Sequence, residues 1–402
     1  MQHPITRTSV EWAEDVAETL RIEADRGTLT PLWWRPLDEA MLSLFGEPRL
    51  PLDVWAHIDW YGPIEEWRRP EQEVSDILFN GPTTDPFFIV QRGAMANTGC
   101  AVHPSWIWFV QRQLLLRSRK LDAAGDGAWS GPYAQGVADR MRYAITAQPF
   151  SRDGGSLAIR LLPERWRTLD DLIQHGAITP DAAMILLAAL ASGASVMISG
   201  ATGSGKTTLA AGFTQELGKR QRLVFVEDGG ELPRATNTLH LEVSSEGDEF
   251  YRALKLSLRQ KPSYIIVGEV RGGEAMAMLQ AAATGHPGIC TIHAPNVQGA
   301  LRNLERMAMM GLASQASGGG QAAAQIVRGL ITSDAVSLII VQVGMTPQGR
   351  RSVLAVEEVL AAGSQGQSGD HFPTETLFKY DDYSGQLLRV GNVNASWGLG
   401  KY

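Results

Sequence analysis

Gly200-Ala201-Thr202-Gly203-Ser204-Gly205-Lys206-Thr207 decides the reading of this 402-residue chain. The stretch fits G-x-x-x-x-G-K-[ST] in full. It follows the apolar run Val196-Met197-Ile198, read as a strand, and opens a segment read as a helix. That context gives the spacing its chemistry. The glycines let backbone N–H groups turn inward around a β-phosphate at a helix N-terminus. Lys206 then reaches the β- and γ-phosphates, and the Thr207 hydroxyl is placed to ligate Mg²⁺. A chance match on a glycine-rich turn would need neither the strand before nor the helix after.

A phosphate loop also needs acids at the carboxyl edge of the sheet, where ligands of open α/β sheets sit. Short apolar runs at Leu223–Val226, Tyr264–Val267, Ile289–Ile292 and Val336–Val341 read as further strands, buried on both faces of a mainly parallel sheet. Two of them end in acids. Val226 leads into Glu227-Asp228-Gly229-Gly230-Glu231, and Val267 leads into Gly268-Glu269. No aspartate precedes Glu269, so the second site is a single glutamate. Two histidines follow. His286 precedes the Ile289–Ile292 strand and His293 ends it. A metal site is disfavoured there, since cysteine and carboxylate ligands are sparse around them. A hydrogen-bonded structural histidine is the plain reading of either. Its place at a strand end makes His293 a candidate γ-phosphate sensor.

The rest of the chain sets bounds. It is 44% hydrophobic and 20% charged, with a formal net charge of -7. That excludes an intrinsically disordered chain and argues against a general nucleic-acid coat. Cys100 and Cys290 are the only cysteines, which excludes a disulfide framework and a cysteine-built zinc site. Met1 to Asp25 lacks a continuous apolar stretch, so no signal peptide is expected. Ala182–Ser199 is the most apolar stretch, but Ser192, Gly193 and Ser195 interrupt it, and it reads as a buried helix and strand rather than a membrane span.

Residues 1–70 hold Trp33, Trp34, Trp55, Trp60 and Trp67 in a proline-broken frame, with one amphipathic helix expected at Glu11–Ile22. Two readings are open for the tryptophans: a docking surface for a partner, or a small satellite core. The first predicts that the segment is dispensable for nucleotide chemistry. From Glu73 the texture is α+β. Val74–Phe79 is a helix or a strand, Phe87–Val90 and Ser156–Arg160 are strands, and Trp106–Arg119 is a helix. A helix capped by Thr179 opens at Pro180-Asp181. Gly318-Gly319-Gly320 is a break between helices, and Gly363–Gly369 a polar loop before a C-terminal tail.

The residues resemble the type II/type IV secretion-system ATPases, hexameric motors of secretion, conjugation and pilus systems. The matching boxes come in order: the Walker A loop Gly200–Thr208, the acidic box Val226–Leu232, the atypical Walker B Ile265–Ala275, and the histidine box Thr284–Ala294. Gly-Glu in place of Asp-Glu is itself the family's pattern. Pro262-Ser263 and Gly229-Gly230 depart from it. The similarity runs from about Glu73 to Leu360 and is nearest to the conjugation and tight-adherence-pilus types. It implies a RecA-like α/β P-loop NTPase motor domain over 169–362. An α+β N-terminal domain at 71–162, a linker at 163–168, a leading extension at 1–70 and a tail at 363–402 complete the expected layout.

The resemblance also implies roles. ATP and Mg²⁺ would be held by Gly200, Ala201, Thr202, Gly203, Ser204, Gly205, Lys206, Thr207 and Thr208. Glu227 would act as base or water-positioning acid, with Glu231 supporting. Glu269 would take Mg²⁺ through water beside Thr207, and His293 would sense the γ-phosphate. Arg142, Arg160 and Arg271 would contact phosphate within or between subunits. The implied partners are further copies in a homo-hexamer, an inner-membrane platform protein and other secretion or pilus components. The implied location is the cytoplasm, peripheral to the inner membrane. A weakly active nucleotide-gated scaffold and a DNA-translocating motor are the rivals. The complete set Lys206, Glu227, Glu269 and His293 weighs against the first, and the acidic charge against the second, so nucleic acid is not expected as a tight ligand.

Overall fold

The computed structural model describes residues 9–25, 58–81, 87–100, 102, 104–118, 133–152, 154–243, 249–313, 320–361 and 371–398. The chain divides into two compact units, Met1–Glu164 and Arg165–Tyr402.

In the first unit, β1 (Val74–Phe79), β2 (Phe87–Gln91), β3 (Ala94–Asn97), β4 (Tyr133–Ala138), β5 (Met141–Thr146) and β6 (Ser156–Leu161) form a six-stranded sheet in the order β3-β2-β1-β6-β5-β4. Every pairing is antiparallel. Along β5 the residues Met141, Tyr143 and Ile145 are buried and their neighbours are not, the period-2 alternation of a sheet with one face on the core. Val74–Phe79, open between helix and strand in the sequence, is a strand because it pairs on both sides.

Helix α1 (Ser9–Asp25) contains the expected Glu11–Ile22 segment and buries Ala13, Val16, Ala17 and Leu20, an i, i+3, i+4, i+7 stripe. Short α2 (Ile64–Arg68) and α3 (Pro104–Arg117) complete the layer, with Phe109, Val110 and Leu114 of α3 in the same cluster. Trp60 is 3% exposed and packs 6.4 Å from the Phe109 ring, while the Trp67 ring lies 5.1 Å from Phe87. Trp60 therefore serves the core of the first unit and Trp67 packs against it half-buried; Trp33, Trp34 and Trp55 lie outside the described residues.

The second unit is built on a nine-stranded sheet of order β15-β14-β13-β12-β7-β11-β10-β8-β9. Its strands are β7 (Ser195–Gly200), β8 (Leu223–Glu227), β9 (Thr238–Glu242), β10 (Tyr264–Val267), β11 (Gly288–His293), β12 (Leu338–Met345), β13 (Arg351–Val359), β14 (Thr374–Asp381) and β15 (Gln386–Arg389). From β12 to β9 all neighbours are parallel. β13, β14 and β15 extend the sheet by antiparallel hairpins. Two of these strands lie in the region that reads as a tail, because short strands paired at a sheet edge leave little periodic signal. The glycine break at 318–319 and the loop at 363–369 lie outside the described residues.

Successive strand residues feed opposite faces. Val196, Ile198, Leu223 and Phe225 join one core cluster with α4 (Leu169–Gln174), α5 (Pro180–Ala191) and α6 (Lys206–Gly218). Met197, Val226, Cys290 and Ile292 join another with α7 (Glu249–Ser257), α8 (Glu274–Ala283), α9 (Val297–Ala313) and α10 (Gly320–Ile331). The result is a three-layer α/β unit with parallel strands buried on both faces. Thr168 and Asp171 close a reciprocal capping box on α4, and Thr179 caps α5 as its sequence suggests. Among the described residues no helix is long and apolar enough to cross a membrane.

Candidate nucleotide-binding site

The phosphate loop joins the central strand β7 to α6. Gly203 (φ +73°) and Gly205 (φ +100°) take left-handed conformations that a side chain would oppose. A Cβ on Gly200 would stand 2.5 Å from both the Ser204 hydroxyl and the Val343 carbonyl oxygen. Gly205 caps α6 without a side-chain hydrogen bond, so the first N–H groups of the helix keep their capacity to hold an anion. Thr207 and Thr208 are half-buried in the first turn. Beside the loop lies a cavity of about 460 Å³ whose walls include Leu172, His175, Thr208, Arg350 and Arg351.

Lys206 is 7% exposed. Its ammonium donates to the carbonyls of Gly200 (3.0 Å) and Ala201 (2.9 Å) and lies 3.2 Å from His293 Nδ1. Burial pushes its pKa below the ordinary lysine value, an effect that the charge of Glu269 opposes. His293 ends β11 directly opposite Gly200 in the parallel ladder. Its Nε2 lies 3.0 Å from Glu269 Oε1. A neutral ring protonated on Nε2 satisfies both contacts, accepting from Lys206 and donating to Glu269. The other oxygen of Glu269 takes the Arg271 guanidinium at 2.6 Å, and Arg271 reaches Asp228 at 3.5 Å. The hydrogen bond to Glu269 holds the Arg271 pKa above its usual value, helped by the charges of Glu269, Asp228 and Glu231. Polar groups thus run in a chain from Lys206 through His293 and Glu269 to Arg271 and Asp228.

Glu227 closes β8 and is 4% exposed. Its Oε1 accepts the Leu232 N–H at 3.3 Å, and its Oε2 stands 3.5 Å from Nδ1 of His240 on β9. Gly268 explains the missing aspartate of the second acidic motif. A Cβ at that position would lie 3.1 Å from Glu227 Cγ and 3.2 Å from its Oε1. The glycine makes room for the buried carboxylate of the neighbouring strand.

The residues Gly200–Thr208, Glu227, Asp228, Glu269, Arg271 and His293 therefore meet at the carboxyl edge of one sheet. Glu231 is half-buried and within the electrostatic reach of Arg271. His286 lies at the other end of β11 from His293, beside Thr284 at 3.4 Å, which leaves the two histidines without a common ligand site. Among the described residues no group of His, Cys, Asp and Glu is arranged to hold a metal alone. Arg142 and Arg160 belong to the first unit, facing each other across β5 and β6, with Arg160 ion-paired to Asp76 at 3.0 Å. Sequence reasoning passed over His240. Its one signal was a polar residue in the apolar frame Leu239-His240-Leu241, a pattern shared by many surface strands.

The family model for type II/IV secretion system proteins matches residues 135–367, more than half of the chain. The chain belongs to that family. It is 36% identical to the conjugal transfer protein TrbB of Rhizobium radiobacter over 236 residues, 58% of this chain and 67% of the relative. It is also 36% identical to a probable conjugal transfer protein TrbB of Sinorhizobium fredii over 200 residues, covering 49% of this chain and 58% of that relative. The chain thus spans well under the full length of some curated relatives. The ATPase DotB of Legionella pneumophila shares the fold, with a TM-score of 0.53 at 23% identity over 74% of this chain and 79% of the other. The α/β P-loop architecture expected from the sequence is the architecture of this family member.

Proposed function

We propose that the chain is the ATP-hydrolysing motor of a type IV secretion, conjugation or pilus-assembly apparatus. The observation that carries this reading is the convergence of a buried lysine, two glutamates and a histidine on one phosphate loop. ATP phosphates occupy the N-terminus of α6 and replace the Gly200 and Ala201 carbonyls as partners of Lys206. Freed from Lys206, His293 faces the γ-phosphate while Glu269 fixes its other nitrogen. Glu227 orients the attacking water and accepts its proton, the base dry enough to be selective and held by Leu232 N–H. The cavity beside Thr208 receives the base and ribose. Mg²⁺ fits the donors present, since this ion keeps most of its waters and needs only a hydroxyl such as Thr207, a carboxylate such as Glu269 and the phosphates themselves. When bound it neutralises charge developing on the phosphates.

Arg271 supplies a cation to a phosphate within or between subunits of a hexamer. The names of the relatives favour conjugal transfer among possible cargoes. The motor works on the cytoplasmic side, held to the inner membrane through a platform protein.

The test pairs two variants. Lys206→Ala loses the cation on the transferring phosphate and should lose turnover. Glu227→Gln should bind ATP normally and hydrolyse it about 10²–10⁴-fold more slowly. Near-normal hydrolysis by purified Lys206→Ala protein would overturn the site.

A further inference from the structure

We propose that His240 is a positioning residue for the Glu227 carboxylate, holding its Oε2 oxygen so that the other edge of the group is presented to water. This rests on the reading of Glu227 as the base.

Three features of β8 and β9 place His240 against Glu227. The first is register. β8 and β9 are parallel neighbours with Phe225 opposite His240, and Glu227 is one step further along the same face. The second is the ring's restraint. His240 lies flat on Phe225, with centroids 4.2 Å apart and planes 4° from parallel. A ring stacked in that way has little rotational freedom, so its nitrogen is aimed rather than merely nearby. The third is a polar shortage. Glu227 Oε2 and His240 Nε2 are buried atoms without a hydrogen-bond partner among the described residues, and Oε2 stands 3.5 Å from His240 Nδ1. Glu227 and His240 side chains are 5% and 11% exposed. Leaving a buried polar atom unpaired is costly, and a few tenths of an ångström of movement would bring Nδ1–H to hydrogen-bond distance of Oε2. Catalytic hydrogen bonds are often long before substrate binds and tighten afterwards.

A packing role would use the ring alone, whereas a positioning role needs the nitrogen. The two are separated by substitution. His240→Phe keeps the stack on Phe225 and removes the donor. His240→Asn removes the ring and keeps an N–H near the position of Nδ1. ATPase kinetics and melting temperature are measured on the full chain, with Glu227→Gln alongside. Positioning predicts that His240→Phe lowers kcat about tenfold or more at unchanged KM, with a cooperative melt retained because the ring still stacks on Phe225. It predicts that His240→Asn melts earlier yet keeps kcat within about threefold of the parent, since the remaining N–H still meets the carboxylate. Wild-type kcat in His240→Phe, with Glu227→Gln inactive, would overturn the proposal and leave His240 as packing. Normal turnover in Glu227→Gln would instead overturn the assignment of Glu227 and the role of His240 with it.

Discussion

Gly268→Ala adds a single methyl group to the site, and the structure sizes its effect. Gly268 has no left-handed φ, so alanine fits the backbone and the consequence is steric. The new carbon would meet Glu227 Cγ at 3.1 Å, Oε1 at 3.2 Å and Cβ at 3.5 Å. Comfortable carbon contacts are about 3.5–4.0 Å, so the carboxylate must retreat by roughly 0.3–0.5 Å. Glu227 has little room, being 4% exposed. A misplacement of about 1 Å in a reacting group costs on the order of 10²-fold, and half of that displacement costs about tenfold in kcat. Overpacking costs about 1–3 kcal/mol and the stiffer unfolded chain returns about 0.4–1 kcal/mol. The net is near 1 kcal/mol, or about 2–4 °C in a unit of this size. In the proposed site the loop after β7 holds the phosphates, so ATP affinity should not change. The assay is steady-state hydrolysis with a coupled readout of ADP, beside nucleotide titration and thermal melting. Wild-type kcat with an unaltered melting temperature would show that the Glu227 carboxylate adapts freely and is not confined by Gly268.

Truncation to a start near Glu71 removes Val16, Leu20, Ile58, Trp60, Tyr61 and Ile64 from the first core. At about 1.5–3 kcal/mol per large side chain the loss rivals the whole stability of a domain, so the fragment should aggregate or melt far earlier, and an unchanged melting curve would refute the core assignment. Asp171 is held below the usual carboxylate range by the Thr168 backbone N–H, then by the Thr168 hydroxyl. Its contribution is therefore complete above the unfolded value of about 4 and disappears as pH falls through the lower folded value. Wild type should be more stable than Asp171→Asn at neutral pH and lose that advantage in acid; a gap that persists at about pH 2, measured by melting, would refute the capping argument. Sedimentation with ATP should reveal rings, and a fully active monomer at every concentration would refute the hexamer.

The parallel core of the second unit was legible because strands buried on both faces leave continuous apolar runs, as at Val196–Ile198 and Tyr264–Val267. The phosphate loop was legible because its backbone demands fixed residue types at fixed spacing. The role of Gly268 was not, since it depends on a side chain from a neighbouring strand, 41 positions away in sequence by the numbering of Glu227 and Gly268. His240 escaped for the same reason: a parallel ladder decides what it touches, and its own neighbours in the chain carry no trace of that. The direction of the tryptophans was not legible either, because composition counts aromatic rings without saying which way they face; Trp60 faces inward.

The pairing of His293 with Gly200 has a consequence for how the molecule tolerates change. Those two residues are held side by side by the hydrogen-bond ladder at the middle of a wide sheet, at a lateral spacing of about 4.8 Å that no loop sets. Sequence drift in the surrounding connections leaves that gauge untouched, because altering it would mean breaking β7 from β11. The acids are held differently: Glu269 and Asp228 stand on connections beyond the strand ends and reach their places through Arg271. Insertions, substitutions and crowding should therefore retune how the site handles its acids long before they alter how lysine and histidine address one another.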